Sequence, residues 1–316
     1  MPEQDYPGVS KTLKYEAARD PGASSIRPQF LVVTPARNEA KHLAAVIAAM
    51  VRQTVAPDEW RIVDDDSTDA TRDIVVAAAR EHSWIRLGMA RRDGDTGADG
   101  LAAGRPARAF AAGVRDATIA WDFVAKVDAD VELPPDYFAV LLGRMLADEQ
   151  LGMVGGTLIE PDGKGGDRVI AVPRQHVPGA LCIYRRSCFE QIGGVREMLG
   201  WDTIDETLAR MRGFHTRSYT DVVARHRRQT GAVAGVIRGR ARHGVVAWIA
   251  HYPLYFVLLR AVKLSLLRPR GILGAAFVWG YVSAATRRVP RVPDDGFRSH
   301  IRKEIRERVT QAHRGD

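Results

Sequence analysis

Two aspartates in the middle of the chain, Asp128 and Asp130, stand one residue apart where a buried strand should end. Residues 121–127 before them are mostly apolar and predict that strand, which Leu133-Pro134-Pro135 stops soon afterwards. Positions i and i+2 of an extended chain point to the same side, so the two carboxylates share one face. Paired carboxylate oxygens suit Mg²⁺ or Mn²⁺, which take substrate phosphates as further ligands. We therefore predict an Mg²⁺ or Mn²⁺ site here, with a polar strand exit that binds nothing as the alternative.

The segments that must position this pair alternate between strands and helices. Residues 29–34 and 60–63 are short apolar runs that predict buried parallel strands. Residues 40–53 and 69–82 predict helices, the first from apolar residues at helical spacing. This order predicts a doubly wound, mostly parallel α/β sheet.

Ligands of such sheets bind at the carboxyl ends of the strands. Thr34-Pro35, Asp64-Asp65 and the Asp128/Asp130 pair all fall at predicted carboxyl ends. We therefore expect these three features to line one crevice.

The composition is that of a globular protein from a reducing compartment. Of the 316 residues, 46% are hydrophobic and 27% are charged, and two cysteines are too few for a disulfide framework. Residues 1–28 contain no apolar core segment, which predicts a polar, partly disordered lead-in rather than a signal peptide.

The net charge of +8 is unevenly distributed along the chain. Residues 225–316 contain 19 Lys and Arg but only 5 Asp and Glu, and no acidic residue occurs between Val222 and Pro293. The remainder of the chain is net acidic. Such asymmetry predicts an anionic partner for the C-terminal part, either a membrane surface or nucleic acid.

Two apolar stretches near the C-terminus favour the membrane. Residues 245–267 are long enough to span a bilayer, but charged residues and Pro253 interrupt them, and residues 271–286 are too short to span. Helices that lie in the membrane plane fit better, and Arg268, Arg270, Arg287 and Arg288 at the ends of these stretches suit anionic lipids. The alternative is a helical subdomain that packs on the α/β body.

Short motifs in a fixed order extend over residues 29–231. They are Val32-Val33-Thr34-Pro35-Ala36-Arg37-Asn38-Glu39, Ile62-Val63-Asp64-Asp65-Asp66-Ser67-Thr68-Asp69-Ala70-Thr71, Val127-Asp128-Ala129-Asp130, Pro178-Gly179-Ala180, the segment Tyr184 to Gly194, and Gly200-Trp201-Asp202-Thr203-Ile204-Asp205-Glu206. Together they resemble an inverting family 2 glycosyltransferase with the GT-A fold. Each motif is weak alone, but their common order makes the resemblance specific.

The resemblance implies a nucleotide-sugar site in the crevice. It implies that Asp65 contacts the base or ribose, that Asp128 and Asp130 hold the metal ion that clamps the diphosphate, and that Arg105 or Arg108 supplies a basic group. Asp66 stands where the family has glycine, a departure that can reshape the turn. The residues expected to bind the nucleotide sugar are Thr34, Pro35, Arg37, Glu39, Asp65, Arg108, Lys126, Asp128, Gly179, Arg227 and Arg228.

Inverting transfer also needs a base that takes the proton of the acceptor hydroxyl. The candidates are Asp202, Asp205 and Glu206, which lie on roughly one side of a predicted helix. An ungapped count back from Gly213-Phe214 favours Asp202, while Asp205-Glu206 resembles the acidic doublet of the family. We expect Asp205 to be the base, with Asp202 next. The alternative is an acidic first turn that stabilises the helix N-terminus.

These inferences predict a GT-A glycosyltransferase domain at 29–225 and a helical, basic and apolar membrane-facing region at 226–316. The expected reaction moves a sugar from a UDP- or GDP-sugar to a lipid-linked or glycan acceptor in cell-envelope or exopolysaccharide synthesis, on the cytoplasmic membrane face. One alternative is a sugar-phosphate nucleotidyltransferase, although the glycine-rich loop usual in that class is missing after the first strand. The other is a basic nucleic-acid-binding protein, which the apolar C-terminal stretches disfavour.

Overall fold

A computed structural model describes residues 28–90, 104–163, 165–229 and 235–314. The lead-in predicted for residues 1–28 lies outside the described residues except for Pro28.

The described strands form one nine-stranded mixed sheet. They are β1 (Phe30–Ala36), β2 (Glu59–Asp64), β3 (Ile85–Met89), β4 (Phe123–Val127), β5 (Val131–Glu132), β6 (Leu151–Pro161), β7 (Asp167–Ile170), β8 (Leu181–Arg185) and β9 (His215–His226). Their order is β3-β2-β1-β4-β8-β6-β9-β5, with β7 beside β6. The first four strands in this order are parallel, whereas β8 is antiparallel to both β4 and β6.

Helices cover both faces of the sheet and continue to the C-terminus. They are α1 (Ala40–Val51), α2 (Thr71–Glu81), α3 (Arg105–Arg115), α4 (Tyr137–Ala147), α5 (Arg186–Gln191), α6 (Trp201–Met211), α7 (Val236–Ile249), α8 (Leu254–Ser265), α9 (Ile272–Thr286) and α10 (Asp295–Arg314). The predicted α/β sheet with a C-terminal helical region is therefore confirmed.

Strand β1 lies between β2 and β4, and its burial and pairing determine where the ends of these strands lie. Its neighbouring residues Leu31 and Val32 are both fully buried and belong to different cores, one on each side of the sheet. Burial on both faces accounts for the continuous apolar run that predicted the strand. Ala36 pairs with Asp64 of β2, and Val33 pairs with Lys126 of β4. The carboxyl ends of these three strands consequently open at one edge.

The C-terminal helices divide between two packing units. Phe297, Ile301 and Ile305 of α10 are buried in the core beneath α6, where Arg210 and Glu304 also form an ion pair with Nε and Oε1 2.5 Å apart. Helices α7, α8 and α9 share a smaller core of their own. The predicted region 226–316 therefore contains both a helix of the body and a three-helix unit.

Two glycines allow α7 and α9 to pack at close range. A Cβ atom added to Gly244 would lie 2.0 Å from the carbonyl oxygen of Phe277, and one added to Gly280 would lie 1.9 Å from that of Ala241. Any larger residue at either position would force the two helix backbones apart.

The apolar stretch 245–267 is broken rather than continuous. Helix α7 ends at Ile249, His251 adopts a left-handed φ of 58°, and Pro253 precedes the first residue of α8. Within the four described ranges, no helix combines the length and apolarity needed to cross a membrane.

Candidate active site

The loops after β1 and β2 hold each other through side-chain contacts. The Oδ1 atom of Asn38 accepts the backbone N–H of Thr68 at 2.8 Å, and the backbone N–H of Asn38 donates to the hydroxyl of Ser67 at 3.0 Å. Asn38 and Asp66 have φ angles of 55° and 62°. Asn and Asp tolerate this left-handed conformation, which glycine adopts readily. Asp66 therefore fits a turn that glycine would also adopt.

Arg37 and Asp65 lie side by side at the mouth of the crevice. One guanidinium nitrogen of Arg37, Nη1, donates to the carbonyl oxygen of Asp65 at 2.7 Å and lies 3.8 Å from its Oδ2. The Asp65 side chain is 19% exposed. Pro35 is partly buried beside them. This arrangement leaves polar groups where a nucleoside could reach them.

Thr34 does not offer its side chain to this crevice. It is fully buried, and its hydroxyl accepts the indole N–H of Trp60 at 2.9 Å. The hydroxyl therefore joins β1 to β2 inside the core. We correct the prediction for Thr34 accordingly, since a nucleotide sugar has no route to a side chain in this position.

Lys126 connects the aspartate pair to the loop before β8. This lysine is buried, and its ammonium group donates to a carboxylate oxygen of Asp128 and to the carbonyl oxygen of Gly179, the latter at 2.7 Å. It also lies 5.2 Å from the ring centre of Trp201 in the first turn of α6. Lys126 thereby holds Asp128 close to the segment that carries the candidate base.

The Asp128 side chain keeps 33% of its surface open. Desolvation by the surrounding protein raises the pKa of Asp128, the nearby charge of Asp130 acts in the same direction, and Lys126 opposes both. Asp128 can therefore be reached from the crevice, and a further cation beside it would stabilise its ionised form.

Asp130 is buried beneath the end of β9. Its Oδ2 lies 3.0 Å from Nε2 of His226 and 2.5 Å from Nε of Arg228. Burial acts to raise the pKa of Asp130, but the hydrogen bond and charge of His226 and the charge of Arg228 outweigh burial and lower it. Asp130 is accordingly held as a carboxylate.

His226 begins the basic segment that the sequence indicated, but only Arg227 and Arg228 of that segment were predicted to bind the nucleotide sugar. Burial acts to lower its pKa, but its hydrogen bond to Asp130 and the charges of both aspartates raise it. It is the last residue of β9 and pairs with Val131 of β5 directly after the aspartate pair. A histidine at the end of an alternating stretch, just before Arg227-Arg228, was the available sequence signal.

Both arginines of that segment are bound to carboxylates. Arg228 Nη2 donates to Oε1 of Glu39 at 2.8 Å in addition to its contact with Asp130, and Arg227 pairs with Glu132. Burial raises the pKa of Glu39 to about 7, although the charge of Arg228 acts against this shift. The boundary predicted between residues 225 and 226 consequently falls inside the site, because His226, Arg227 and Arg228 all contact the body.

Arg108 lies in the first turn of α3 and is partly exposed. The start of this helix, at Gly104, approaches the backbone of Glu197 and Met198, since a Cβ at Gly104 would lie 2.8 Å from both Glu197 O and Met198 N. Arg108 is therefore placed near the segment that leads into α6.

The aspartate pair fits a divalent ion whose shell is completed by a substrate. The Oδ1 atom of Asp130 is buried and has no hydrogen-bond partner among the described residues, and Asp128 is open to the crevice. In the part of the chain that the structure describes, no three His, Cys, Asp or Glu residues are grouped as ligands. Two carboxylates and the phosphates of a substrate are the usual arrangement for Mg²⁺.

The preference for Asp205 as the base does not fit its position. Asp205 is fully buried, its Oδ2 accepts the hydroxyl of Tyr184 at 3.1 Å, and its Oδ1 lies 3.4 Å from the backbone N–H of Arg196. Burial raises the pKa of Asp205 far above its usual range. An acceptor hydroxyl cannot reach this group, because β8 and the segment before α6 enclose it.

Glu206 is also buried, and its carboxylate is bound by other groups of the protein. Its Oε1 accepts the backbone N–H of Val177 at 2.7 Å and lies 2.9 Å from Nδ1 of His176, and Arg210 is 3.6 Å from its Oε2. The side chain is 3% exposed. Glu206 therefore anchors the segment before β8 to α6 and is not open to a substrate.

Asp202 is the partly exposed member of the acidic cluster. Its Oδ1 accepts the backbone N–H of Thr203 at 2.8 Å. Its Oδ2 faces Gly179, since a Cβ added there would lie 3.0 Å from that oxygen. The carbonyl oxygen of Gly179 accepts the ammonium group of Lys126, which also binds Asp128. Asp202 thus lies beside Gly179, whose carbonyl oxygen is joined through Lys126 to Asp128.

Comparison with known proteins supports a common family and fold. Validoxylamine A glucosyltransferase from Streptomyces hygroscopicus subsp. limoneus is 44% identical over 65 residues, which are 20% of this chain and 14% of the relative. The same enzyme from Streptomyces hygroscopicus subsp. jinggangensis is 44% identical over 57 residues, 17% of this chain and 14% of that relative. The matched stretch therefore spans only a small part of these curated relatives.

Solved structures with low sequence identity share the fold. Mannosyltransferase PcManGT from Pyrobaculum calidifontis, in complex with GDP-Man and Mn²⁺, superposes with a TM-score of 0.52 at 22% identity over 85% of this chain and 78% of that chain. A mycobacterial protein superposes with a TM-score of 0.51 at 19% identity over 75% of this chain and 78% of that one. The predicted GT-A fold is confirmed by this likeness, which speaks for the fold alone.

The model of the family described as glycosyl transferase family 2 matches residues 31–193, from β1 through the end of α5. This match covers more than half of the chain and contains the β1 and β2 loops, the aspartate pair and Gly179. The family predicted from the sequence motifs is confirmed, and the chain belongs to glycosyl transferase family 2, a family of sugar-transferring enzymes.

Proposed function

We propose that this protein transfers a sugar from a nucleoside-diphosphate sugar to an acceptor hydroxyl, with inversion at the anomeric carbon. The observation that carries the proposal is the position of Asp202 beside Gly179, whose carbonyl oxygen is joined through Lys126 to Asp128 of the aspartate pair. A partly exposed carboxylate and a carboxylate pair suited to a diphosphate-bound cation are the two parts that this reaction needs.

The donor would bind along the carboxyl ends of β1, β2 and β4. Asp65 and Arg37 are accessible to the nucleoside, and Pro35 contributes apolar surface beside them. A Mg²⁺ or Mn²⁺ ion held by Asp128 and Asp130 would supply positive charge to the departing diphosphate. His226 and Arg228 orient Asp130, and Lys126 orients Asp128, so the pair is fixed before a donor arrives.

Asp202 acts as the base in this proposal. Its carboxylate accepts the proton of the acceptor hydroxyl as the acceptor oxygen bonds to the anomeric carbon. The bond between that carbon and the diphosphate oxygen breaks at the same time, and the diphosphate leaves as the anion. Because the acceptor and the leaving group lie on opposite faces of the sugar, the product has the inverted configuration.

We further propose that α8 and α9 hold the enzyme on an anionic membrane surface, the inner face of the cell membrane. Leu254, Leu258 and Val262 recur every four residues on the outer side of α8, Leu266 continues this series just after the helix ends, and the four are 52–74% exposed. Trp279 of α9 is 68% exposed. Exposed basic residues border this surface, namely Lys263, Arg268, Arg270, Arg287 and Arg288. Each basic residue near an anionic leaflet contributes about 1 kcal/mol, which adds to the burial of the apolar side chains.

A membrane position would suit a lipid-linked or glycan acceptor in cell-envelope or exopolysaccharide synthesis. The proposal also favours sugar transfer over nucleotidyl transfer, because the chain belongs to glycosyl transferase family 2. It assigns the C-terminal charge to lipid and not to nucleic acid, since the basic residues border an apolar surface.

A panel of UDP- and GDP-sugars tests the donor part of the proposal. We expect one nucleotide sugar to raise the melting temperature with Mn²⁺ or Mg²⁺ and not with EDTA. NMR of the transfer product should then show an anomeric configuration opposite to that of the donor. A retained configuration, or stabilisation by donors that is equal with and without metal, would contradict the proposal.

Vesicle flotation tests the membrane part. The full chain should float with vesicles that contain anionic phospholipid and should float less with zwitterionic vesicles or at high salt. If the protein stays in the soluble fraction at low salt with anionic vesicles, the outer side of α8 has another role.

A further inference from the structure

Arg240 of α7 and Arg260 of α8 both lie near the contact between α7 and α9. The guanidinium carbon of Arg260 lies 5.5 Å from the ring centre of Phe277. Arg240 is one helical turn before Gly244, the residue that contacts the backbone of Phe277. Both arginines are partly buried. The two arginines therefore belong to different helices but lie close enough for the charge of Arg260 to act on Arg240.

No carboxylate from the surrounding segment balances this pair. Residues 222–293 contain no Asp or Glu, and none of the ion pairs found among the described residues includes Arg240 or Arg260. Burial and the charge of Arg260 lower the pKa of Arg240. Two cations placed together and partly desolvated are unfavourable unless an anion joins them.

Arg240 belongs to the helix that packs against the start of α6, the helix that carries Asp202. Val246 of α7 packs against Gly200, since a Cβ added to Gly200 would lie 2.6 Å from its Cγ1. His243 stands three residues before Val246 on the same helix face. Arg240 Nη1 is 3.4 Å from Nδ1 of this histidine. The side chain of His243 is exposed, but desolvation by the neighbouring protein and the charges of Arg260 and Arg240 lower its pKa, and Asp202 opposes this shift. Arg240 is therefore joined to the start of α6 through His243 and Val246 of one helix face.

We propose that Arg240 and Arg260 bind a phosphate group on the acceptor and so hold the acceptor hydroxyl at Asp202. This inference rests on the proposed function and names the acceptor class, a molecule with a phosphate ester or phosphate head. Guanidinium groups suit phosphate because each presents several N–H donors in one plane and stays charged. Two of them can neutralise a dianion. No acidic residue within α7, α8 or α9 offsets this positive charge.

The phosphate can belong to a lipid or to a soluble molecule. Helix α8 contributes Arg260 to the pair and Leu258 and Val262 to the outer apolar surface, so one short helix joins the phosphate site to the proposed membrane surface. A lipid phosphate would reach the pair along this helix, whereas a soluble phosphate would enter from the crevice.

Calorimetry on the full chain with Mn²⁺ and a nucleoside diphosphate tests the inference. The probes are decyl phosphate and glycerol 3-phosphate, with decanol and glycerol as the matched molecules without phosphate. The variants are Arg240→Gln with Arg260→Gln, and a control pair, Arg298→Gln with Arg306→Gln, that removes two exposed arginines of α10. The single variants Arg240→Lys and Arg260→Lys keep the charge but not the planar donors, and are used if the Gln pair does not fold.

We expect a phosphate probe to bind at least about tenfold more tightly than its partner without phosphate, because charged hydrogen bonds are lost with the phosphate. The Gln pair should abolish this preference, the Lys variants should weaken it, and the α10 control should keep it. Tighter binding of decyl phosphate than of glycerol 3-phosphate identifies a lipid acceptor, and equal binding identifies a soluble one. Binding without preference for phosphate, or binding unaffected in the Gln or Lys variants, would overturn the inference.

Donor binding separates this inference from the proposed function. The Gln pair should still bind the nucleoside diphosphate with Mn²⁺, because neither arginine contacts the aspartate pair in the structure. If phosphate preference fails while donor binding and inversion hold, only the acceptor class is wrong. If donor binding does not depend on Asp128 and Asp130, the proposed function fails whatever the phosphate probes show.

Discussion

The carboxyl ends of the strands and the helices α7 to α9 differ in how their charged side chains are paired. At the carboxyl ends of the strands, cations are bound to carboxylates: Lys126 to Asp128, Arg228 to Asp130 and Glu39, and Arg227 to Glu132. In helices α7 to α9, basic residues accumulate in a segment that has no acidic residue from 222 to 293. The first side is internally neutralised, whereas the second presents positive charge and apolar surface outwards.

This difference separates a site that is arranged in advance from surfaces that require a partner. Buried carboxylates such as Asp130 need cations and hydrogen bonds to remain charged, so the strand ends are held in one geometry without any ligand. The arginines and exposed leucines of α7 to α9 gain most when a lipid or an anion covers them. In the proposed function, the strand ends would therefore be the catalytic frame, and the C-terminal helices would determine which acceptor reaches it.

The largest expected effect comes from the aspartate pair. Asp128→Asn with Asp130→Asn should lower turnover by about 10³-fold or more, because the charge that stabilises the departing diphosphate is lost. Metal-dependent binding of the nucleoside diphosphate should disappear with it, as calorimetry with and without EDTA would show. A control pair, Asp116→Asn with Asp136→Asn, changes two exposed aspartates and should leave turnover unchanged. Full turnover of the Asp128→Asn with Asp130→Asn variant in EDTA would show that the reaction needs no metal ion at this pair.

The outer side of α8 should affect membrane binding and not folding. Leu258→Ser with Val262→Ser should reduce binding to anionic vesicles by about tenfold or more, given the apolar area that each side chain would bury in the interface. The free energy of unfolding should change by less than about 0.5 kcal/mol, since both side chains are exposed. Flotation and urea denaturation measure the two effects.

Leu146→Ser with Val223→Ser is the matched control, because these residues are exposed on the α/β body. This control should leave vesicle binding intact. Equal losses in both pairs would show that membrane binding depends on general surface apolarity and not on α8.

The inner side of α8, in contrast to its outer side, should contribute to the stability of the fold. Leu264 is buried in the small core of α7, α8 and α9, so that Leu264→Ala should lower the free energy of unfolding by about 2–3 kcal/mol. Leu258→Ala, in the same helix, should change it by less than about 0.5 kcal/mol. Similar losses for the two variants in urea denaturation would mean that the outer side of α8 is packed in solution.

The smallest expected effect is a pH dependence that comes from His176. Burial acts to lower its pKa, but the hydrogen bond and charge of Glu206 raise it above the unfolded value of 6.5. Its contribution to stability is therefore complete below pH 6.5 and is lost as the pH rises through the raised pKa. His176→Gln should remove this part of the pH dependence of unfolding, by about 1 kcal/mol or less. A wild-type curve that matches the variant over this range would show that the pair is uncharged.

The fold and the location of the site follow from local patterns in the sequence. The buried run of β1 and the aspartates after β4 indicated where strands end, and parallel pairing brings those ends together. The break at His251 to Pro253 was visible as a proline inside an apolar stretch. In each of these cases the signal lies within a few residues of the feature.

The role of each carboxylate in α6 could not be predicted in the same way. Asp202, Asp205 and Glu206 lie close together on the helix, and only the partners from distant segments distinguish them. Tyr184 of β8 encloses Asp205, whereas the lack of a side chain at Gly179 leaves room beside Asp202. Thr34 was misassigned for the same reason, because the indole of Trp60 binds it from β2.

The most direct test compares Asp202→Asn with Asp205→Asn at saturating donor and acceptor. The account predicts that Asp202→Asn lowers kcat by about 10²- to 10⁴-fold, while the donor Kd changes by less than about twofold, because a base acts on the acceptor proton in the transition state. Asp205→Asn should keep kcat within about tenfold, since its buried carboxyl has a strongly raised pKa and Asn has the same shape. A nearly normal Asp202→Asn together with an inactive Asp205→Asn would contradict the account.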